Sequence, residues 1–372
     1  MKRINYTLLC LLLISVVYQK SVNAKDEIKW PLWQRFQDNF IDDSGRVIDP
    51  YENRNVTTSE GQSYAMFFAL VNNQPVLFSR LLAWTESNLA QGDLSTTLPA
   101  WQWGENPEGH WGVLDDNSAS DSDLWIIYNL IEAARLWNKP EYLVLANKIG
   151  QLVMAKEVVE VPGLGITLLP AAKGFYQIDK EVILNPSYLP MQVLTRLAST
   201  FENKKWQHLV RTSYRLLVAS SPHGFAPDWV KFDFKKGFDF NNAVGSYNAI
   251  RVYLWVGMLA QDDEYFKKLA IHFRPILAFV DEHQYAPLSI KLVNVENQGR
   301  GGIGFSASLL PLASRSSQPS VKEFLLTEAA NCSTTQNVNY YDHVLTLFAC
   351  GWYEDRFRFL RNGSLQTKVD KL

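Results

Sequence analysis

The sequence predicts a single all-α domain, and three observations predict it. Apolar residues recur at helical spacing along the chain: Tyr64, Phe67, Phe68 and Val71; Leu124, Ile127, Tyr128 and Ile131; Ile250, Tyr253, Leu254 and Gly257; Val344, Leu347, Phe348 and Gly351. No βαβ alternation interrupts these stripes, and no low-complexity linker divides the chain. Between the stripes, Leu98 to Asn117, Val161 to Pro190 and Ser221 to Ser246 are rich in Pro, Gly, Asn and aromatic residues and read as loops. On such a scaffold chemistry is expected on the loops and helix ends.

The 372 residues carry a formal net charge of -2. That balance gives no electrostatic reason for a nucleic-acid or anionic-membrane partner. Aromatic residues are abundant, with 12 Trp, 16 Tyr and 20 Phe. Most such rings fill cores, but flat ring faces also stack on the C–H faces of sugars. The first 24 residues read as a signal peptide: Lys2 and Arg3, an apolar run from Leu8 to Val17, and Val22-Asn23-Ala24 before the cleavage point. The apolar run is short for a membrane span. The expected location of residues 25–372 is therefore periplasmic or secreted. Once Cys10 leaves, Cys332 and Cys350 remain, free to pair in an oxidising compartment.

Three polar clusters stand at predicted helix starts. In Thr57-Thr58-Ser59-Glu60, the spacing of Thr57 and Glu60 fits a capping box. The same Glu60, facing a cleft among apolar neighbours, would be an acid able to protonate a leaving group. In Ser120-Asp121-Ser122-Asp123, two carboxylates meet the positive end of a helix, with Asp121 placed to grip sugar hydroxyls beside Trp125. The third, Ser246-Tyr247-Asn248-Ala249-Ile250-Arg251, reads as the start of a buried helix. Gly299, Gly301 and Gly304, with Glu323 downstream, match a dinucleotide fingerprint but lack its βαβ setting, so no nucleotide is expected. The six histidines show no metal-ligand spacing, and no nucleophile elbow is present.

Taken together these segments resemble glycoside hydrolase family 8, and most nearly its periplasmic endoglucanases associated with bacterial cellulose synthase. The stretches that carry the resemblance are Gly45 to Pro50, Thr57 to Tyr64, Leu98 to Gly104, Asn117 to Trp125, Asn185 to Pro190, Ala226 to Val230, Ser246 to Arg251 and Val344 to Phe348, in family order. The resemblance implies one catalytic domain over 25–372, an (α/α)6 barrel with an open cleft at one end. It implies an endo-β-1,4-glucanase acting with inversion on cellulose chains, without cofactor or metal, with the cellulose synthase export complex as a candidate partner. It assigns Glu60 as general acid and Asp121 as the residue holding the sugar at the cleavage point. Tyr188 falls beside the reacting water and Arg251 beside the base, with Trp101, Trp103 and Trp125 as stacking platforms.

One position departs from the family pattern. The general base of the endoglucanase branch is an Asp where this chain has Asn248. An inverting enzyme needs an acid and an opposed base about 6.5–9.5 Å apart, and a neutral amide accepts no proton at ordinary pH. Three accounts are open. Another carboxylate substitutes, with Asp116, Asp233 and Asp239 as candidates; or the protein is an impaired, glucan-binding accessory; or the Asn is a change in an otherwise ordinary enzyme.

Overall fold

The computed structural model describes residues 30–50, 55–334 and 339–368. The expected signal peptide, residues 1–24, lies outside the described residues, as does the side chain of Cys332 and with it the pairing to Cys350.

Helices follow one another in hairpins. Helix α1 (Pro31–Phe40) leads to α2 (Ser59–Val71), α3 (Pro75–Leu89) to α4 (Ser120–Trp137), α5 (Pro140–Lys156) to α6 (Met191–Thr200), and α7 (Lys205–Ala219) to α8 (Ile250–Met258). A broken pair, α9 (Phe266–His272) and α10 (Pro275–His283), leads to α11 (Ile303–Ala313), and α12 (Pro319–Thr334) leads to α13 (Tyr340–Tyr353). The first member of a hairpin is amphipathic. In α5 the buried residues are Tyr142, Ala146, Ile149, Gly150 and Val153, one stripe at helical spacing, and Pro140 opens the helix where its missing N–H costs nothing. The second member is mostly apolar or small and buried on nearly every face, except α6, where only Met191 to Leu194 and Leu197 are buried. Every residue of α4 from Ser120 to Ala133 is buried, as is every residue of α8.

The buried helices form a ring. Helix α2 packs on α4, α4 on α6, α6 on α8, α8 on α11 and α11 on α13. Contacts of Phe348 with Tyr64, Phe67 and Phe68 close the ring between α13 and α2. The architecture is the expected (α/α)6 barrel. Its axis is filled by aromatic rings, with Trp125 fully buried against Tyr64, Phe67, Tyr128, Trp255 and Phe348. Gly257 sits where α8 and α11 meet backbone to backbone, since an added Cβ would stand 2.4 Å from the Leu312 nitrogen.

Short antiparallel sheets lie in the segments expected to be loops, and further strands lie outside them, at 57–58 and 287–300. Strands β1 (Thr57–Thr58), β2 (Gln102–Glu105) and β3 (Trp111–Asp115) form one, with Thr57 opposite Trp103. A hairpin follows, β4 (Val158–Val161) with β5 (Gly165–Leu168). Strands β6 (Tyr176–Gln177), β7 (Glu181–Leu184), β8 (Val230–Asp233) and β9 (Gly237–Asp239) form a four-stranded sheet. Next come β10 (Val244–Gly245), β11 (Pro287–Lys291) and β12 (Glu296–Arg300). These strands of two to five residues are too brief for a period-2 pattern to stand out from the sequence. Gly299 lies in the antiparallel β11–β12 pair, Gly301 packs on Phe305, and Gly304 packs on Asp342 while donating its N–H to that carboxylate at 2.8 Å. The glycine cluster thus serves close packing.

The two ends of the ring differ. At one end the amino-terminal halves of the buried helices are tied together, as Arg251 of α8 bonds Asp121 of α4 and Tyr64 of α2. At the other end a hairpin, β13 (Phe357–Phe359) with β14 (Leu365–Thr367), closes the barrel. The Tyr128 hydroxyl donates to the Gly363 carbonyl at 3.0 Å, and buried Glu132 accepts from Arg135, Arg196 and the Leu365 N–H. Among the described residues no helix is long and apolar enough to cross a membrane.

Candidate active site

Glu60 is in the first turn of α2, but not in the capping box its spacing suggests. The N-cap is Thr58, whose hydroxyl accepts from the Gly61 N–H at 3.1 Å. Thr57 instead donates to the Val47 carbonyl and accepts from Arg46 Nε. Glu60 therefore sits at the second helical position, one short of the capping-box place, and its carboxyl is left for other work. Burial pushes its pKa up to about 8, and the neighbouring charge of Asp121 pushes in the same direction. Arg251 and the Trp101 indole N–H, hydrogen-bonded to Glu60, oppose that rise. One carboxyl oxygen of Glu60 is buried without a partner.

Asp121 is buried at the start of α4. Its Oδ2 takes Arg251 Nη1 at 2.8 Å and its Oδ1 the Ser122 N–H at 2.9 Å. Burial raises the pKa of Asp121 as well, against the pull of Arg251. The two acids titrate as a pair, and only Asp121 has a cation bonded to it, so the charge settles on Asp121 and the proton on Glu60.

Arg251 organises the rest. Its Nη1 also donates to the Tyr64 hydroxyl at 3.0 Å, and its Nη2 to Asn248 Oδ1 at 2.7 Å. Its guanidinium lies 5.5 Å from the centre of the Tyr188 ring. Asn185 Nδ2 donates to the same Asn248 oxygen at 3.2 Å. Glu60, Asp121, Tyr188, Asn248 and Arg251, far apart in sequence, are thus one cluster.

Aromatic rings flank it. Trp101 is 38% exposed beside Glu60. Trp103 is partly exposed, packed at 5.3 Å on Trp111, with Arg46 stacked 4.6 Å from its centre. On the other side Trp229 stacks flat on Phe175 at 5.6 Å and meets Tyr188 edge-on at 6.1 Å.

Four expectations need correction. Trp125 is no stacking platform: it is wholly enclosed in the barrel core and offers no face to a ligand. The three alternative base candidates are all on surface turns. Asp116 is paired with Lys173 at 3.1 Å and its side chain is 81% exposed. Asp233 caps the β8–β9 turn, accepting from the Lys235 and Lys236 N–H groups that hold its pKa low. Asp239 accepts from the Asn241 N–H in an exposed turn.

The structure adds residues that spacing did not single out. Asp228, in the Ala226-Pro-Asp-Trp stretch, accepts the N–H groups of Ser246, Asn248 and Ala249. The Tyr341 hydroxyl donates to the Tyr247 carbonyl, joining α13 to the approach to α8. Behind Asp121, fully buried Asp123 and Glu157 face one another, and Ser118 donates to Glu157 at 2.5 Å. Burial and Glu157 hold the Asp123 pKa far above its ordinary value, and burial pushes that of Glu157 up to about 7. A proton shared between these two carboxyls satisfies oxygens that no other donor reaches.

A protonated carboxyl beside an ionised one, at the open end of an (α/α)6 barrel and between exposed indoles, is an arrangement suited to cleaving glycosidic bonds. The sequence profile described as "Glycosyl hydrolases family 8" matches residues 7–355, and the chain belongs to that family. A protein of Escherichia coli O157:H7 named "Endoglucanase" is 40% identical over 359 residues, covering 95% of each chain. Another of that name from Salmonella typhi is 42% identical over 94% of each chain. Among solved structures, an endo-1,4-D-glucanase from Vibrio fischeri ES114 superposes with a TM-score of 0.87 at 43% identity, over 91% of this chain and 99% of its own.

Proposed function

We propose that this protein is an endo-β-1,4-glucanase that hydrolyses internal bonds of cellulose-like chains with inversion, and that Glu60 is its general acid. The observation that carries the reading is the geometry: Glu60 has a buried carboxyl oxygen with no partner, next to an Asp121 fixed by Arg251 and beside the exposed Trp101, and burial pushes its pKa up to about 8. The likeness to endoglucanases over nearly the full chain favours a hydrolase over a glucan-binding accessory.

In this reading a glucan chain lies across the open end of the barrel, stacked on Trp101 and Trp103. Glu60 gives its proton to the leaving glycosidic oxygen. Asp121, fixed by Arg251, grips the sugar and faces the positive charge that develops on its ring. A water held by Tyr188 and Asn248 attacks from the opposite face. The test is reducing-sugar release from carboxymethylcellulose. Wild type is expected to be active and Glu60→Gln to lose a factor of about 10²–10⁴. An inactive wild type sinks the reading.

The basic-apolar-small pattern of residues 1–24 supports export and cleavage after Ala24. The likeness to the cellulose-synthase-associated branch supports action beside the export complex. Amino-terminal sequencing of periplasmic and culture fractions tests the first, and co-purification with the synthase the second.

A further inference from the structure

The remaining question is where the proton of the attacking water goes. Asn248 cannot take it. Its amide oxygen already accepts from Arg251 and Asn185, which turns its NH2 group, a pure donor, toward any other partner. That NH2 group can hold a water by its lone pair but leaves the water's protons facing away.

The other carboxyls of the cluster are committed. Glu60 carries the proton of the acid. Both oxygens of Asp121 are bonded, to Arg251 and to the Ser122 N–H. Asp123 and Glu157 are fully enclosed. Asp228 is different. Its Oδ1 takes three backbone N–H groups, from Ser246 at 2.8 Å, Asn248 at 2.9 Å and Ala249 at 2.7 Å. Its Oδ2 has no hydrogen bond among the described residues. Asp228 binds the backbone N–H of residue 248 itself, so its carboxyl is anchored at the same turn that carries the Asn248 side chain. Its charge acts on both Arg251 and Tyr341, and its neighbour Trp229 touches Tyr188.

We propose that Asp228 is the general base of this enzyme, taking the water proton on Oδ2 in place of the carboxylate that position 248 lacks. The inference rests on the hydrolase reading above. The step balances. The water oxygen bonds to the anomeric carbon as the bond to the leaving oxygen breaks. Glu60 gives its proton to that oxygen, and the water's proton passes to Asp228, directly or through one further water. Burial outweighs the three amide hydrogen bonds and raises the Asp228 pKa, making its carboxylate a stronger acceptor than a surface Asp. The competing role for Asp228 is a cap on the turn into α8 and nothing more.

The experiment is steady-state hydrolysis of a cello-oligosaccharide by wild type, Asp228→Asn, Asn248→Asp and the double variant, with thermal unfolding beside it. Asp228→Asn keeps an oxygen for the three N–H groups, so its unfolding midpoint should stay near wild type. Its kcat should fall by about 10²–10³ with KM little changed. Asn248→Asp in the same chain should restore kcat, and azide, a nucleophile that needs no base, should restore turnover with an α-glucosyl azide as product. A cap alone predicts neither rescue. If Asp228→Asn turns over at the wild-type rate, or loses kcat that neither Asn248→Asp nor azide recovers, the proposal is overturned. If Asp228→Asn does not fold, Asp228→Ser, which also caps helices, carries the same measurements. An inactive wild type would instead overturn the hydrolase reading itself.

Discussion

The proton on Glu60 is held by its surroundings, and the surroundings can be titrated. Its pKa of about 8 means that the acid is present below that pH and lost above it. The rate of hydrolysis, read as kcat/KM against pH, should therefore fall as pH rises through about 8. Trp101→Phe removes the indole hydrogen bond that lowers this pKa, so the basic limb should move to higher pH while KM rises from the lost stacking surface. Both shifts are read from the same pH profile. Glu157 offers a second test, through stability. Its folded pKa of about 7 exceeds the ordinary glutamate value of 4.5, so the native state binds the extra proton. Stability is then full below about 4.5, declines as pH rises toward 7, and is lowest above it. The loss amounts to about 3 kcal/mol at 1.36 kcal/mol per pK unit. Glu157→Gln should flatten that decline in thermal unfolding between pH 5 and pH 8. Of these residues, Glu60 and Asp121 were legible as carboxylates at helix starts. Asp228 was not, because nothing in its spacing joins it to residue 248, nearly one hairpin away. Nor was the burial of Trp125, since a Trp after an acidic helix start reads equally as platform or core.

At the scale of the element, the apolar stripes named in the sequence all became buried helices, because 3.6-residue periodicity is readable once a helix exceeds two turns. The short sheets did not announce themselves, and neither did the exchange of roles between Thr57 and Thr58, which depends on the partner strand opposite Thr57. Gly257 read only as a small residue in an apolar stripe. Its reason is the neighbouring helix, which leaves no room for a methyl group. Gly257→Ala should force α8 from α11 and cost about 1–3 kcal/mol in urea unfolding, as overpacked cores do. The same change at Gly92, where an added Cβ meets nothing, causes no clash, though its positive φ still adds strain.

Across the whole molecule, the open end carries the Glu60–Asp121–Arg251 cluster and the closed end carries a buried ion cluster. Glu132 accepts from Arg135, Arg196 and the Leu365 N–H there, and Arg135 also donates to the Leu365 carbonyl. Removing it leaves charge uncompensated, so Glu132→Ala should cost about 3–5 kcal/mol in urea unfolding. The kcat of the fraction still folded should be nearly unchanged, since the barrel separates this end from Glu60. The barrel was legible from the sequence only through family resemblance, because periodicity reveals that helices are buried but not that they form a circle.

That circle is completed late. Phe348 meets Phe67 and Phe68, so the final wall of the barrel is laid by a part of the chain made long after the first. A chain made from its amino end has helix α2 waiting for its last neighbour. Until α13 arrives the aromatic column lies open along one side, and Glu60, at the head of α2, lacks part of the enclosure that raises its pKa. On the proposed reading, closing the ring and arming the acid are then one event, and a chain that stops short of α13 should show no hydrolysis.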